Sequence, residues 1–243
     1  MEKQPKVTVI TVCRNNKNAL QLTMCNVSTQ QYPYLEYIVV DGNSNDGTLE
    51  LLEKYQGLLN KWVSEPDNGI YDAMNKGAEM ATGEWVIFMN AGDTFADAAV
   101  LSRIFEESRQ DADVIYGDVI KGGVIKVAEP PHNAHRMYFC HQSALVRRSL
   151  LLQYPFDTNH HMSADFKQMK TLFLKGYEFL QLPFPVARFD LSGVSNTCRS
   201  RGLRDNIAVI REVDNIQNQL KFLPKLYFVY FMCCIRGKIQ HMK

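Results

Sequence analysis

The absences in this chain narrow its chemistry first. Its six cysteines, Cys13, Cys25, Cys140, Cys198, Cys233 and Cys234, form no CxxC pair, which leaves them as mostly buried small hydrophobes in a reducing compartment. The opening MEKQPKVTV has no apolar stretch of the kind a secretory signal needs, so a cytoplasmic location is expected. Net charge is almost missing: 27 basic against 26 acidic residues give +1. That is too little field to gather nucleic acid, and no such partner is expected. The first apolar run leads into CRNNKN, not into a glycine-rich phosphate loop, which disfavours dinucleotide-dependent oxidoreductases and nucleotide-sugar pyrophosphorylases.

The 243 residues, 46% hydrophobic and 22% charged, suit one domain with an appendage. Over the first hundred residues two periodicities alternate. VTVITV from Val7, YIVV from Tyr37 and WVIFM from Trp85 lack polar alternation and read as strands buried on both faces, so the sheet is expected to be mostly parallel. Helical spacing fills the intervals Leu20 to Thr29, Thr48 to Leu59, Tyr71 to Met80 and Ala98 to Glu107. Right-handed crossovers in such a βαβα succession put every strand-to-helix loop on one edge of the sheet. DVIYGDVI and KGGVIKV, joined at Gly122-Gly123, read as an antiparallel hairpin.

Three acidic turns lie on that edge: VVDGNSNDGT from Val39, VSEPDNGIYDAMNKG from Val63 and VIFMNAGD from Val86. Topology therefore gathers Asp41, Asp67 and Asp93 around one polyanionic, metal-assisted ligand. A carboxylate ending a rigid strand, as Asp93 does, suits Mg²⁺ or Mn²⁺ whose other positions take diphosphate oxygens and water; Gly92 would let the diphosphate approach the backbone. The competing structural reading makes Asp93 a helix cap, Asp41 the head of an Asx-turn with Gly42, Asn43 and Ser44, and Asp67 a plain turn residue before Gly69. On the following helix Lys76 reaches either phosphate or solvent.

TVITVCRNN, VVDGNSNDGT, SEPDNGIYDAMNKGAEMATGEW and FMNAGD, in this order and spacing, resemble the nucleotide-binding half of the family 2 glycosyltransferases, in particular bacterial exopolysaccharide and colanic-acid-type transferases. The resemblance implies a GT-A, Rossmann-like α/β fold. Residues 1–212 would form the transferase domain, divided near 110 into nucleotide-binding and acceptor halves, with a helical tail at 213–243.

By similarity, Thr11, Arg14, Asp41, Ser44, Asp67, Gly69, Asn75, Lys76, Asn90 and Ala91 would surround the nucleotide. Asp93 would bind the metal. Asp165, in NHHMSADFKQM, matches the position of the base that deprotonates the acceptor in an inverting transfer, and its structural alternative is an acidic residue in a first helical turn. His141, Gln142 and Ser195 would line the donor-sugar or acceptor pocket. The chain departs from the pattern at Gly92, where many members carry a second carboxylate, and at Ala164, where Glu is commoner; low metal affinity without nucleotide is the consequence. The QxxRW motif of processive relatives is absent, implying addition of a single sugar. The alternative function is a weakly catalytic nucleotide- or carbohydrate-binding module.

Histidines cluster at His132, His135, His141, His160 and His161, but without the i, i+4 helical spacing of a zinc motif. Ser192 to Ser195 with Arg199, Arg201 and Arg204 reads as a loop able to close over the diphosphate. In the tail, Leu226 to Ile235 is ten apolar residues, ~15 Å as a helix against a ~30 Å hydrocarbon core. With Lys221, Lys225, Arg236, Lys238 and Lys243 around it, segment 221–238 suits a membrane interface carrying a polyprenyl-linked acceptor, or else packing on the body or on a second subunit in a homodimer.

Overall fold

The computed structural model describes residues 4–107, 111–192 and 199–240. Strands β1 (Val7–Cys13), β2 (Leu35–Asp41), β3 (Lys61–Ser64) and β4 (Trp85–Phe88) pair in parallel, in the order β3-β2-β1-β4. Their alternate residues fill two cores. Val7, Val9, Tyr37, Val39, Trp85 and Ile87 face α1 (Lys17–Ser28) and α4 (Val100–Glu107), whereas Ile10, Val12, Ile38, Val40, Val86 and Phe88 face α3 (Ile70–Met80), α5 (Arg148–Gln153) and α6 (Ala164–Leu174). Burial on both faces explains why these strands read as continuous apolar runs.

Beyond β4 the sheet turns mixed. The two-residue β5 (Thr94–Phe95) lies at its far edge, and β6 (Val114–Lys121), β7 (Val124–Lys126), β8 (Ala144–Arg147) and β9 (Phe179–Phe189) extend it in the order β4-β8-β6-β9-β5. β8 is antiparallel to both β4 and β6, and β7 forms the expected hairpin with β6. The α/β architecture is the one the sequence predicts.

Three details differ. α2 (Thr48–Lys54) is shorter than its periodicity suggests, because the chain turns into a 3₁₀ segment at Gln56–Leu58 around Gly57. β3 is too short and too exposed to show a strand pattern. β9 carries Pro183 and Pro185, which argue against a central strand. It is accommodated by register shifts against β6 between Tyr116 and Val119, where Pro185 pairs with Asp118.

Helices α7 (Arg199–Val213) and α8 (Ile216–Gln240) close the chain. Arg199, Arg201 and Arg204 therefore sit on α7 and not in a closing loop; Ser195 lies outside the described residues. Phe222 and Leu226 of α8 pack on Ile207 and Ile210 of α7 and on Phe166 of α6. Beneath them Lys170 meets Asp214 at 2.8 Å, both side chains almost fully buried, and Asn133 donates to Asp214 at 3.0 Å. No helix among the described residues is long and apolar enough to cross a membrane.

Candidate active site

The carboxyl ends of β1 to β4 open into a cleft of 710 Å³, bounded across from them by residues of the second half. Its nucleotide-half wall includes Arg14, Asp67, Gly69, Asn90, Ala91 and Asp93. Asp67 is held in two ways: its Oδ1 accepts the Gly69 N–H at 2.9 Å, and Arg14 lies 3.8 Å away. A Cβ on residue 42 would lie 2.2 Å from its Oδ2, so any side chain there would have to push the carboxylate aside. Gly69, at φ +112°, takes a conformation that side chains resist and starts α3.

Other residues expected at the nucleotide hold the wall from behind instead of lining it. Thr11 is fully buried, its hydroxyl bonded to Tyr37 and the Met89 carbonyl. Asp41 is fully buried too, accepting from the Ser44 N–H and hydroxyl and from Ser64, while the Ser44 hydroxyl also accepts the Asn15 N–H. These bonds lock the first two loops together. Asn75 exchanges two hydrogen bonds with the backbone of Phe156, and Lys76 bridges Glu65 and the Pro66 carbonyl. Thr11, Asp41, Ser44, Asn75 and Lys76 thus hydrogen-bond or ion-pair within the protein and fix the loops, and none of the five is among the residues that line the cleft.

Asp93 is 3% exposed. Burial pushes its carboxyl up to about 7, against the opposing effects of the Asp190 N–H, 2.8 Å away, and the Gln142 side chain. The space above Gly92 (φ +102°) belongs to a neighbouring carboxylate: a Cβ there would lie 2.5 Å from Asp190 Oδ2. Gly92, where the resemblance leads one to expect a second carboxylate, is thus roofed by an acidic side chain delivered from just beyond the end of β9. Asp190 went unrecognised because the two prolines concealed its strand; the signal was the same apolar run closed by aspartate that marks Asp41. Asn90 Oδ1, in the same turn, is buried without a hydrogen-bond partner. Together these are hard oxygen donors of the kind that Mg²⁺ and Mn²⁺ prefer, so the residues fit a divalent cation.

The second half supplies Lys121, His141, Gln142, His161 and Asp165 to the cleft. His141 stacks on Phe88 at 5.7 Å and burial lowers its pKa, keeping the ring neutral, with Nε2 unpartnered. Asp165, in the first turn of α6, accepts a 2.8 Å hydrogen bond from the Tyr71 hydroxyl of α3. Burial, then the charge of Asp165, raises the Tyr71 pKa well above its ordinary value, so Tyr71 stays a donor. In the sequence Tyr71 stands only at the start of the helical stretch Tyr71 to Met80.

Outside the cleft, Asp157, His160 and Glu212 lie close enough together to suggest a metal site. The centre is already occupied by a cation, since Lys167 Nζ is 2.5 Å from both carboxylates.

The profile of Glycosyl transferase family 2 matches residues 8–175 of this chain. The chain belongs to glycosyl transferase family 2. Within the family, a PGL/p-HBAD biosynthesis glycosyltransferase of Mycobacterium bovis is 29% identical over 171 residues, covering 66% of this chain and 67% of that one. A putative teichuronic acid biosynthesis glycosyltransferase of Bacillus subtilis, TuaG, is 33% identical over 93 residues, 37% of each chain. Among solved structures, S. aureus TarS 1-349 in complex with UDP shares the fold with a TM-score of 0.64 at 20% identity, covering 90% of this chain and 70% of that one. Mannosyltransferase PcManGT from Pyrobaculum calidifontis, in complex with GDP-Man and Mn²⁺, gives 0.67 at 21%, covering 87% and 64%. Against a longer TarS chain this one spans 43% of the length. The GT-A fold is shared with all three solved chains.

Proposed function

We infer that this protein is an inverting, metal-dependent glycosyltransferase. It moves one sugar from a nucleotide-diphosphate donor, UDP-linked by preference, to a saccharide or polyprenyl-linked acceptor in surface polysaccharide biosynthesis. The observation that carries the reading is the single cleft in which Asp93 and Asp165, from opposite halves of the chain, are both wall residues. One carboxylate suits the leaving diphosphate and the other suits the acceptor.

Arg14, Asp67, Gly69, Asn90 and Ala91 would receive the nucleotide. Asp93, with Asp190 beside it, would hold Mg²⁺ or Mn²⁺, which when bound supplies positive charge to the departing diphosphate. Asp165 would take the proton of the acceptor hydroxyl, positioned by the Tyr71 hydrogen bond. His141, neutral and with a free ring nitrogen, and Gln142, bonded to Asp93, would face the donor sugar. Relatives named for PGL/p-HBAD and teichuronic acid biosynthesis support a surface-glycoconjugate acceptor; with such an acceptor the enzyme would work in the cytoplasm, at the inner face of the cell membrane.

The test is the melting temperature with nucleoside diphosphates, with and without Mn²⁺, since selective ligands stabilise by mass action. UDP should raise it in a Mn²⁺-dependent way, and Asp93→Ala should abolish the metal dependence. Asp165→Asn should keep the shift and lose transfer. Nucleotide binding without any metal-dependent transfer would instead favour the binding-module alternative.

A further inference from the structure

Helix α8 has an inward stripe, Phe222, Leu226 and Tyr230, that packs on α6 and α7. Its opposite face is also apolar. Ile216, Leu220, Tyr227, Phe228, Phe231 and Ile235 recur at helical spacing and are exposed, Leu220 at 71%, Phe228 at 66% and Phe231 at 61%. Soluble helices place polar residues on that face, so this stripe is built to be covered.

Charge identifies the cover. From residue 215 to the end the sequence has Lys221, Lys225, Arg236, Lys238 and Lys243 and no acidic residue. Lys221 and Lys225 are exposed, and Lys221 follows directly after Leu220 of the stripe. The acidic residues of the adjoining α7 are committed elsewhere: Asp205 bonds His160 and the Met162 N–H, and Glu212 bonds Lys167. A second copy docked symmetrically through this face would set lysines against lysines with no carboxylate from α8 between them. An anionic surface has the complementary charge, and a helix with one apolar face and basic flanks lies in the plane of a lipid interface.

We propose that the outer face of α8 seats the protein on anionic lipid, Phe228 and Phe231 entering the acyl boundary and Lys221 and Lys225 meeting the headgroups. This gives the membrane location of the proposed enzyme a physical surface, yet it stands on α8 alone and holds whether or not the cleft transfers sugar.

The full chain should co-sediment with phosphatidylcholine vesicles containing phosphatidylglycerol and stay in the supernatant with phosphatidylcholine alone. Lys221→Gln with Lys225→Gln should weaken binding roughly fivefold for each lysine, and high salt should do the same. Phe228→Glu with Phe231→Glu should abolish binding while leaving the melting temperature and any nucleotide-induced shift intact, because both side chains are exposed. Equal binding to both vesicle types, or none to either, overturns the proposal. So does a dimer by light scattering that Phe228→Glu converts to monomer, which would assign the face to a second copy. A lost nucleotide shift with vesicle binding retained would count against the cleft reading alone.

Discussion

The two halves of the cleft are held by different means. On the first-half side, short polar loops at one sheet edge fix one another through local hydrogen bonds: the Ser44 and Ser64 hydroxyls donate to Asp41, the Lys17 N–H to Asp46 and the Gly69 N–H to Asp67. On the other side, His141 and Asp165 are placed by long-range contacts, a ring stacked on Phe88 and a hydroxyl from Tyr71, with the buried Lys170–Asp214 pair tying α6 to the helical end of the chain. The difference suggests a division of labour: a first-half wall shaped largely by its own loops, which the proposed function assigns to the donor and which the second half reaches at Asp93 through Asp190, and a second wall whose geometry depends on how the helices pack.

The sharpest way to break that comparison is to change one carboxylate on each wall. Asp165→Asn should reduce turnover by ~10²–10⁴-fold, the usual worth of a positioned base, and leave nucleotide affinity unchanged. Tyr71→Phe, which removes the hydrogen bond to Asp165, should reduce kcat less than Asp165→Asn does and leave KM for the donor unchanged, a split that a purely structural role would not give. If Asp165→Asn instead lost nucleotide binding, the walls would not be separable.

A stability experiment comes next. Lys170→Met leaves Asp214 buried without its cation and should cost about 3–5 kcal/mol in urea unfolding. Adding Asp214→Leu should recover much of that loss, since replacing a buried pair as a unit is far less costly than breaking it. The damage should fall on the second wall, so transfer should fail at lower urea than UDP binding does.

On the donor side, Gly42→Ala should act in the reverse manner. The added methyl displaces Asp67 and its bond to the Gly69 N–H, costing about 1 kcal/mol of stability. Its larger effect should be weaker UDP binding, measurable by calorimetry.

The same division explains what could be read without coordinates. The strands of the first half were legible because each is buried on both faces, and the cleft edge was legible because parallel topology leaves one place for the loops after them. The commitment of the Thr11, Asp41 and Asn75 polar atoms was not, since it depends on Tyr37, Ser64 and Phe156, partners that a residue's own neighbours in sequence do not reveal. β9 was missed for its prolines, and Asp190 with it. The inward stripe of α8 was hidden because both its faces are apolar, leaving no amphipathic contrast to mark the packed one.

The smallest expected effect lies at the opposite edge of the first half, where Glu36 ties β2 to the start of β1 and to the turn before β4. Its side chain is almost fully buried. Burial pushes its carboxyl up, but hydrogen bonds from the Thr8 hydroxyl at 2.6 Å, from Thr82 N–H and hydroxyl at 2.7 Å each, and from Lys6 at 3.2 Å outweigh that and hold it at about 2, against an ordinary 4.5. The folded state therefore prefers the ionised form. This contribution is complete above pH ~4.5 and is lost as the pH falls through about 2. Glu36→Gln should lower stability at neutral pH and flatten the acid limb of the unfolding curve between those values. UDP binding at neutral pH should be untouched, because the strands' amino ends and the cleft lie at opposite edges of the sheet. If the variant weakened UDP binding, the donor wall would owe more to the distant edge than its local hydrogen bonds imply.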